Sequence, residues 1–418
     1  MNFPFKKTIR LLIAGLVDRS AQPDNRKVAF VIKRTVPFSG NVRALADALQ
    51  SQGGYQLVVY KDGPLGDAGD FWRTQGARVY EKFSVEALRD VMSAGTVILS
   101  HSGRDAMLSR KKPGRRVINL WHGVAIKRIE HLMPGGDQSP GAQNRRYLMR
   151  VNSKLYDAMI ASSDIDRMAN ALAFGVDYEK VHVTGLPRFD YLAQHYVFPA
   201  DLQRDADRLT ALLKGRRLVL YAPTFREDGP SALTLLQSDV LQGLKDFLRA
   251  HDLVLGIRPH PYDQKALAAI CDGEQIIDLR PDLYAEPAIP LRAAAALVVD
   301  YSSIWVDYLL LKRPIIALVP DIEHYTLQER GFIYDFSTVF PGPMLSDWDG
   351  VMRALQSLVT SDFVVPFSDV HRYWQAENMF LPPAHLRFKS TDACMDIFFG
   401  SNPVPPQLTT THQIADAG

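Results

Sequence analysis

A histidine that directly follows a short apolar strand lies at the edge of a sheet, where its imidazole can accept or donate a proton. The apolar run Val117–Trp121 leads straight into His122 and Gly123. In open α/β sheets, ligands bind at the carboxyl ends of the strands, and Gly123 leaves the backbone free to turn sharply there. A neutral imidazole suits the removal of a hydroxyl proton. An isolated histidine of this kind is more often a packed residue, so its interpretation depends on the rest of the chain.

Polar residues follow four predicted strands in the second half of the chain. These strands are Leu218–Ala222, Leu253–Ile257, Ala296–Asp300 and Pro314–Val319. The residues that they deliver to one edge of a sheet carry hydroxyl, guanidinium, imidazole and carboxylate groups: Thr224, Arg226, Arg258, His260, Asp300, Ser302, Ser303 and Glu323. Such a set at the carboxyl ends of parallel strands predicts a binding site for a phosphorylated ligand.

The serine pair and its neighbours give this predicted site its chemistry. Ser302 and Ser303 precede an apolar helical stretch, so they lie at a helix N-terminus, where unpaired N–H groups and the helix dipole attract an anion. Helix capping alone would account for one of the two serines. Arg258 and His260 can donate to phosphate oxygens. Glu323 can accept from the diol of a ribose, or it is a solvated surface carboxylate.

The elements that must position these residues alternate between β-branched runs and helical stretches, which predicts parallel sheets with crossover helices. The first series of strands is Val28–Ile32, Gln56–Tyr60, Val97–Ser100, Val117–Trp121, Ala158–Ser162 and Val181–Gly185, and the second adds Gln275–Leu279 to the four strands above. Helical stretches occur at Gly40–Gln52, Val85–Ala94, Ala142–Tyr156, Asp164–Phe174 and Ala232–His251. We expect two doubly wound α/β domains that face each other across a cleft.

The polar stretch Tyr191–Arg217 separates the two series and is the expected domain junction. The expected division is an N-terminal amphipathic segment at residues 1–27, a first domain at 28–200, a second domain at 201–400 and a disordered tail at 401–418. The first domain would carry His122 and the second the phosphate site, so a reaction would take place in the cleft between them.

Composition narrows the class of protein. The chain has 418 residues, of which 47% are hydrophobic and 22% charged, as in soluble globular proteins of two or three domains. A net charge of +2 does not call for a nucleic-acid partner. Cys271 and Cys394 have no disulfide or zinc spacing. The sequence also lacks the His/Cys clusters and paired acidic strand ends that would predict a metal, and it calls for no cofactor.

The first residues combine positive charge with apolar side chains. Lys6, Lys7 and Arg10 surround the start of the apolar stretch Leu11–Val17, which is too short to span a bilayer and lacks a cleavage site. A helix lying on an anionic membrane surface and an ordinary first helix fit this segment equally well. Further basic residues at 104–128 and 145–150 fit an anionic acceptor or an anionic membrane face.

Six blocks in a fixed order resemble the CDP-glycerol glycerophosphotransferase family, the teichoic-acid primases and polymerases and their capsule-synthesis relatives. The blocks are Trp121–Gly123, Ala173–Gly175 with Thr184–Asp190, Tyr221–Arg226, Arg258–Pro261, Asp300–Ile316 and Pro320–Phe336. The resemblance covers about residues 28 to 390. One departure is Val124-Ala125, where the family usually has a threonine and a proline after Trp-His-Gly; it leaves the acceptor contacts near His122 open.

The resemblance implies a GT-B-like pair of Rossmann-type domains, with a CDP-alcohol on the second domain and the acceptor on the first. It implies that His122 is the base and His260 the second essential histidine. Ser302, Ser303 and Asp307 match the diphosphate block, and Glu323 matches the ribose block. Gly123, Thr224, Arg226, Arg258 and Asp300 complete the expected substrate-binding set.

The expected activity is the transfer of glycerol phosphate or a similar polyol phosphate from a CDP-alcohol to an acceptor hydroxyl, with release of CMP. The expected acceptor is lipid-linked or a glycan or polyol phosphate, in teichoic-acid or capsular polymer synthesis at the cytoplasmic face of a bacterial membrane. A GT-B glycosyltransferase or a sugar-nucleotide 2-epimerase shares the architecture, and a non-catalytic anion-binding protein is the alternative from another class. Release of CMP would indicate phospho-alcohol transfer, whereas release of UDP or CDP would indicate glycosyl transfer.

Overall fold

The computed structural model describes residues 3–133, 143, 147, 150–224, 232–236, 238–259 and 267–400. Its first half forms a seven-stranded, entirely parallel sheet. The strands are β1 (Asp24–Ile32), β2 (Gln56–Lys61), β3 (Arg78–Tyr80), β4 (Ala94–Leu99), β5 (Arg116–Asn119), β6 (Ala158–Ala161) and β7 (Val181–Val183). Their order across the sheet is β3-β2-β1-β4-β5-β6-β7.

The second half forms a six-stranded sheet that is also parallel throughout. The strands are β8 (Arg217–Ala222), β9 (Leu253–Ile257), β10 (Ile276–Asp278), β11 (Ala294–Val299), β12 (Ile315–Leu318) and β13 (Met344–Leu345). Their order is β10-β9-β8-β11-β12-β13. In each sheet, strands are added first to one side of the first strand and then to its other side, as in doubly wound nucleotide-binding folds.

The described α-helices connect and cover these strands. They are α1 (Phe3–Ser20), α2 (Gly40–Gln52), α3 (Asp67–Thr74), α4 (Val85–Met92), α5 (Asp164–Phe174), α6 (Ala200–Leu213), α7 (Ser238–Ala250), α8 (Leu267–Ile270), α9 (Ala288–Ala293), α10 (Ile304–Leu309), α11 (Ile322–Gln328), α12 (Phe336–Val339), α13 (Trp348–Thr360), α14 (Val370–Phe380) and α15 (Ser390–Phe399).

Burial on both faces explains why the strands read as continuous apolar runs. Every residue of β4, β9 and β12 is buried, and no strand of the first sheet's centre alternates between polar and apolar residues. Parallel sheets with helices on both sides impose this pattern. The prediction of two doubly wound α/β domains of GT-B-like type is confirmed.

The observed elements differ from the predicted ones mainly at short edges. All eleven predicted strands are present within a few residues of their expected bounds, and α5 spans its predicted range. The short edge strands β3 and β13 were not predicted. The stretch Ala232–His251 was predicted as one helix, but it consists of a 3-10 turn at Ala232–Leu235 and the α-helix α7. Within the predicted helix at Ala142–Tyr156, residues 143, 147 and 150–153 are helical, whereas 142, 144–146, 148 and 149 lie outside the described residues, as does the tail at 401–418.

Helix α1 is docked on the first domain along one side. Ala14 and Asp18 are fully buried, and the Asp18 carboxylate accepts a 2.6 Å hydrogen bond from Arg115. Arg10 reaches Asp62 at 2.8 Å. The opposite side exposes apolar side chains, with Leu12 and Leu16 each 64% accessible. No helix in the described part of the chain is both long enough and apolar enough to cross a bilayer.

The last helix returns to the first sheet. Asp190, on the 3-10 helix Pro187–Leu192, accepts from the backbone N–H groups of Ser390 and Thr391 at 2.9 and 2.8 Å. Phe399 packs edge-on against Tyr55, with ring centroids 5.5 Å apart. Helix α15 therefore follows the second sheet in sequence but packs on the first.

Candidate active site

The His122 loop leaves the carboxyl end of β5 in a constrained conformation. Trp121 has a positive φ of 50°, which is rare for a bulky residue. Two buried side-chain amides hold this turn. The Asn119 carbonyl accepts from the Trp121 N–H at 2.9 Å, and the Asn41 amide donates to the carbonyls of Leu120 and Trp121 at 3.1 and 3.2 Å. A rigid turn of this kind fixes where the following imidazole points.

The residues behind His122 fill the core. Val124, Ala125 and Ile126 are buried, and the Ala125 N–H donates to Asp166 of α5 at 2.9 Å. The Val124-Ala125 departure therefore falls on packing positions of this chain. Its apolar side chains anchor the loop.

Residue His122 is exposed to solvent, but protein atoms are densely packed around its imidazole. Desolvation by that surrounding protein is the largest cause that lowers the pKa of His122, and the charges of Arg188, Lys33 and Lys127 lower it further. A hydrogen bond with the backbone of Ser100 opposes the shift. The ring is therefore neutral at physiological pH, which is the form that can accept a proton.

The second domain meets the His122 loop at the serine pair. A Cβ built on Gly123 would lie only 3.0 Å from the Ser303 Oγ. Ser303 precedes α10 and makes no capping hydrogen bond with its side chain, whereas the Ser302 hydroxyl is 3.5 Å from the Ile304 N–H. The two halves of the predicted site thus face each other at closest approach, and glycine at 123 permits it.

An ion pair locks the same junction. Arg188, on the 3-10 helix that ends the first domain, donates from Nε and Nη2 to the two carboxylate oxygens of Asp307 at 2.6 and 2.8 Å. Its Nη1 donates to the carbonyl of His122 at 2.8 Å. Both side chains are buried. Asp307, expected from the resemblance in the diphosphate block, here holds Arg188 and through it the histidine loop.

A backbone ladder adds a further contact between the domains beside this pair. The Ile333 N–H donates to the carbonyl of Ile126 at 2.9 Å, and the Arg128 N–H donates to Gly331 at 3.2 Å. The Arg128 side chain donates to the Phe332 carbonyl at 3.0 Å. The segment that follows His122 therefore pairs with the loop after α11.

Asp300 and Thr224 lie at the ends of neighbouring strands, as expected for one sheet edge. Both oxygens of the buried Asp300 carboxylate lie 2.9 Å from the Thr224 backbone N–H. This hydrogen bond fixes the turn after β8. Contact of either residue with a ligand remains a prediction.

Arg258 also supports the site from within. Its guanidinium is buried and donates to the carbonyls of Leu279, Tyr284 and Ala285 at 3.0, 2.6 and 3.3 Å. Burial lowers the pKa of Arg258 to about 10, and the nearby Glu286 carboxylate opposes that change. The side chain expected to bind phosphate therefore stays charged at neutral pH and organises the loop after β10.

Glu323 lies in the first turn of α11 and is exposed, so it remains available for the ribose contact that the sequence predicts. Tyr301 forms the wall behind that turn. Its hydroxyl donates to Asp321 at 2.8 Å and its ring stacks on Tyr325, with centroids 4.0 Å apart. His260 and Arg226 lie outside the described residues.

Among the residues that the structure describes, no group of three or more His, Cys, Asp or Glu side chains is arranged to hold a metal ion.

Sequence reasoning did not identify His101 or Arg188. His101 follows β4, and its ring stacks on that of His122 with centroids 4.0 Å apart and an interplanar angle of 15°. A polar Ser100-His101 pair after a buried strand is the same signal that marked His122. Arg188 pairs with a residue 119 positions away, and nothing in the local sequence indicates that partner.

The fold and the cleft define a GT-B-like protein, in which two Rossmann-type domains meet at a phosphate-compatible sheet edge. The chain belongs to the family of CDP-Glycerol:Poly(glycerophosphate) glycerophosphotransferases, whose model matches residues 17–364. The resemblance read from the six blocks is confirmed.

Several curated relatives match most or part of the chain. The teichoic acid poly(glycerol phosphate) polymerase of Bacillus spizizenii is 30% identical over 364 residues, which is 82% of this chain and 85% of that protein. The teichoic acid glycerol-phosphate transferase of Staphylococcus aureus is 28% identical over 84% of this chain and 90% of that protein. The teichoic acid ribitol-phosphate polymerase TarK of S. aureus is 28% identical over 64% of this chain and 51% of that protein. The match spans about half the length of the relatives that are named as ribitol-phosphate polymerases or primases.

Solved structures support the architecture. The wall teichoic acid polymerase TagF superposes with a TM-score of 0.74 at 19% identity, over 94% of this chain and 96% of that chain. The MnaA–UDP structure from S. aureus superposes with a TM-score of 0.53 at 12% identity, over 92% and 99%. At these identities the likeness concerns the fold.

Proposed function

We propose that this protein transfers a phospho-alcohol from a CDP-alcohol to an acceptor hydroxyl and releases CMP. The observation that carries the proposal is the approach of the His122 loop to Ser303, where a Gly123 Cβ would lie 3.0 Å from the serine oxygen. A neutral base on one domain thus faces a serine-rich helix start on the other. Family membership over residues 17–364 supports the same reaction.

In the proposed reaction, the acceptor oxygen attacks the phosphorus that bears the alcohol. The bond from that phosphorus to the oxygen bridging the two phosphates breaks, and CMP leaves with that oxygen. His122 takes the acceptor proton. Ser302, Ser303 and the backbone N–H groups after them stabilise the negative charge of the diphosphate, and Arg226 and His260 are proposed to act on the same phosphates.

The transferred unit is proposed to be glycerol phosphate or ribitol phosphate, and the acceptor a lipid-linked or polyol-phosphate chain of a teichoic acid or capsular polymer. Relatives named for each alcohol match this chain at similar identity, 30% for a poly(glycerol phosphate) polymerase and 28% for a ribitol-phosphate polymerase. The longer match, over 85% of the relative, favours glycerol.

The test is a screen of CDP-glycerol, CDP-ribitol and nucleotide sugars against a lipid-linked acceptor, with CMP, CDP and UDP measured separately. We expect CMP release with a CDP-alcohol. His122→Ala should abolish turnover while calorimetry still detects binding of the CDP-alcohol. Release of CDP or UDP would instead identify a glycosyltransferase, and an unchanged acceptor with every donor would contradict catalysis.

We propose further that α1 touches an anionic membrane from the cytoplasmic side. Its outward face carries Ile9, Leu12 and Leu16, spaced three and four residues apart and 39%, 64% and 64% accessible. Arg19 and Arg110 are exposed near the helix's last turn, where Arg110 lies 3.6 Å from the buried Asp18. An apolar stripe beside basic residues is the surface that anionic lipid attracts.

Because α1 is also docked through Ala14 and Asp18, deleting it would disturb the fold. The sharper test is Leu12→Ser with Leu16→Ser, which removes the stripe and leaves the buried side intact. Sedimentation with vesicles containing anionic lipid should fall, while vesicles of neutral lipid give a low baseline for both proteins. Equal sedimentation of the variant and the wild type would show that another surface is the anchor.

The proposed domain division follows the two sheets, with the junction in the segment around residue 200. On this division α6 (Ala200–Leu213) leads into the second domain, whereas α15 belongs to 201–400 in sequence but packs on α2 and on the 3-10 helix Pro187–Leu192 of the first domain.

A further inference from the structure

A second histidine lies under the proposed base. His101 follows β4 and His122 follows β5, and the two strands are neighbours in the parallel sheet, with Leu99 opposite Asn119. Both imidazoles therefore leave the same edge. Their rings are stacked, with centroids 4.0 Å apart and planes 15° from parallel.

One buried asparagine ties the two loops together. The Asn119 side-chain amide donates to the carbonyl of His101 at 2.9 Å, and its carbonyl oxygen accepts from the Trp121 N–H at 2.9 Å. Its side chain is fully buried. Since both its donor and its acceptor are used, Asn119 fixes the separation of the two histidine loops.

Ser100 joins the same pair from the other strand. Its hydroxyl lies 3.0 Å from the Nδ1 of His101, and its backbone bonds to the ring of His122. The hydroxyl also accepts from the Lys33 N–H at 3.3 Å. The stack is therefore held at both rings and does not depend on ring contact alone.

The charged groups that act on the pKa values of the two stacked rings are basic, and they lower both values. Lys33 follows β1, Lys127 lies beyond the histidine loop and Arg188 comes from the 3-10 helix, and each lowers the pKa of His122 after the larger effect of desolvation. Desolvation, then the charge of His122 and of Lys33, lowers the pKa of His101 well below its ordinary value. Both rings are therefore neutral at physiological pH.

We propose that His101 is a positioning residue for His122: its neutral ring supports one face of the proposed base, fixes the plane of that imidazole and keeps water from that face. The proposal rests on the proposed role of His122 in the transfer reaction. His101 would act through His122 and need not contact the donor.

The test compares His101→Ala, which removes the ring, with His101→Phe, which keeps a flat neutral ring in the stack. We expect the alanine variant to lose kcat by roughly ten- to a hundredfold, because a misplaced group is costly in a preorganised site. The KM for the CDP-alcohol should stay unchanged. The phenylalanine variant should retain most of the activity. His195→Ala, at an exposed histidine of the same domain, is the matched control and should behave as wild type.

A second measurement does not need turnover. NMR titration of labelled imidazoles, assigned through His122→Asn, gives the pKa of His122 in each variant. Removing the ring admits water, so the pKa should rise toward its ordinary value in His101→Ala and stay low in His101→Phe. An unchanged pKa in the alanine variant, or equal loss of kcat in both variants, overturns the proposal. A wild-type protein that releases no CMP contradicts the proposed reaction, whereas the titration still decides the role of His101.

Discussion

At the scale of single residues, the electrostatics of His122 predict how activity depends on pH. The lowered pKa keeps the imidazole neutral in the free enzyme, so protonation of this base should limit kcat/KM only well below pH 6.5. In the proposed reaction the phosphates of the donor lie beside the ring, and their negative charge should raise its pKa. The acid limb of kcat should therefore lie at a higher pH than the acid limb of kcat/KM.

The measurement is a pair of pH–rate profiles for the CDP-alcohol between pH 4.5 and 9, since kcat/KM reports the free enzyme and kcat the complex. Because the pKa of His122 is lowered to about 3 in the free protein, kcat/KM should show no acid limb from this group in that range. His101→Phe should leave the order of the two limbs unchanged. Coincident limbs near the ordinary pKa of histidine would mean that neither the cationic surroundings nor the donor acts on His122.

Residue types and their positions after strands made part of this site predictable. His122, Gly123 and Ser303 were expected at facing strand ends, and the structure brings Gly123 and Ser303 together. The hydrogen bonds of Arg258 could not be predicted from the sequence, because the carbonyls that accept them belong to a loop without a recognisable motif. A sequence indicates which groups can bind phosphate, but the geometry decides which of them are already occupied.

At the scale of elements, the Arg188–Asp307 pair joins the 3-10 helix of one domain to α10 of the other. Asp307→Asn leaves a buried guanidinium without its counter-charge, which typically costs about 3–5 kcal/mol. It should also loosen the hydrogen bond from Arg188 to the His122 carbonyl, so kcat should fall. We expect Arg188→Lys to lower kcat similarly, since lysine cannot replace a bidentate pair and a third hydrogen bond.

Urea unfolding, kcat and the Kd of the CDP-alcohol distinguish the two roles open to Asp307. As a residue that holds the histidine loop, it should affect stability and kcat together and leave the Kd little changed. A weakened Kd with normal stability would instead assign Asp307 to the donor, as the family resemblance implies. Lys180→Ala, which removes an exposed pair with Asp177, is the surface control and should change none of the three.

Elements differ in how well local sequence specifies them. Central strands such as β9 are buried on both faces and appear as unbroken apolar runs. β3 and β13 have three and two residues, and they form because a neighbouring strand offers an open edge. Their pairing is a property of the sheet, which a window along the chain does not contain.

At the scale of the whole molecule, α15 ties the end of the chain to the first domain. Asp190 caps it from 200 positions away, with both carboxylate oxygens accepting backbone N–H groups at the helix start. Ser390 also crowds Gly185, whose φ is +73° and whose added Cβ would overlap the serine hydroxyl. No local signal at 390–399 predicts this packing, because its partners lie in another part of the sequence.

This long-range cap predicts a coupled loss of stability and activity. Asp190→Ala leaves two buried N–H groups unsatisfied, each costing about 1–3 kcal/mol, and frees α15 from the first domain. We expect a lower unfolding free energy in urea and a lower kcat, because the two sheets are then held by fewer contacts across the cleft. Asp347→Ala is the matched control. Asp347 caps α13 locally, accepting from the Gly350 N–H at 2.7 Å. Its loss should cost about 1 kcal/mol without changing kcat. If both variants lost stability equally and neither lost activity, α15 would be a stabilising helix with no part in holding the cleft.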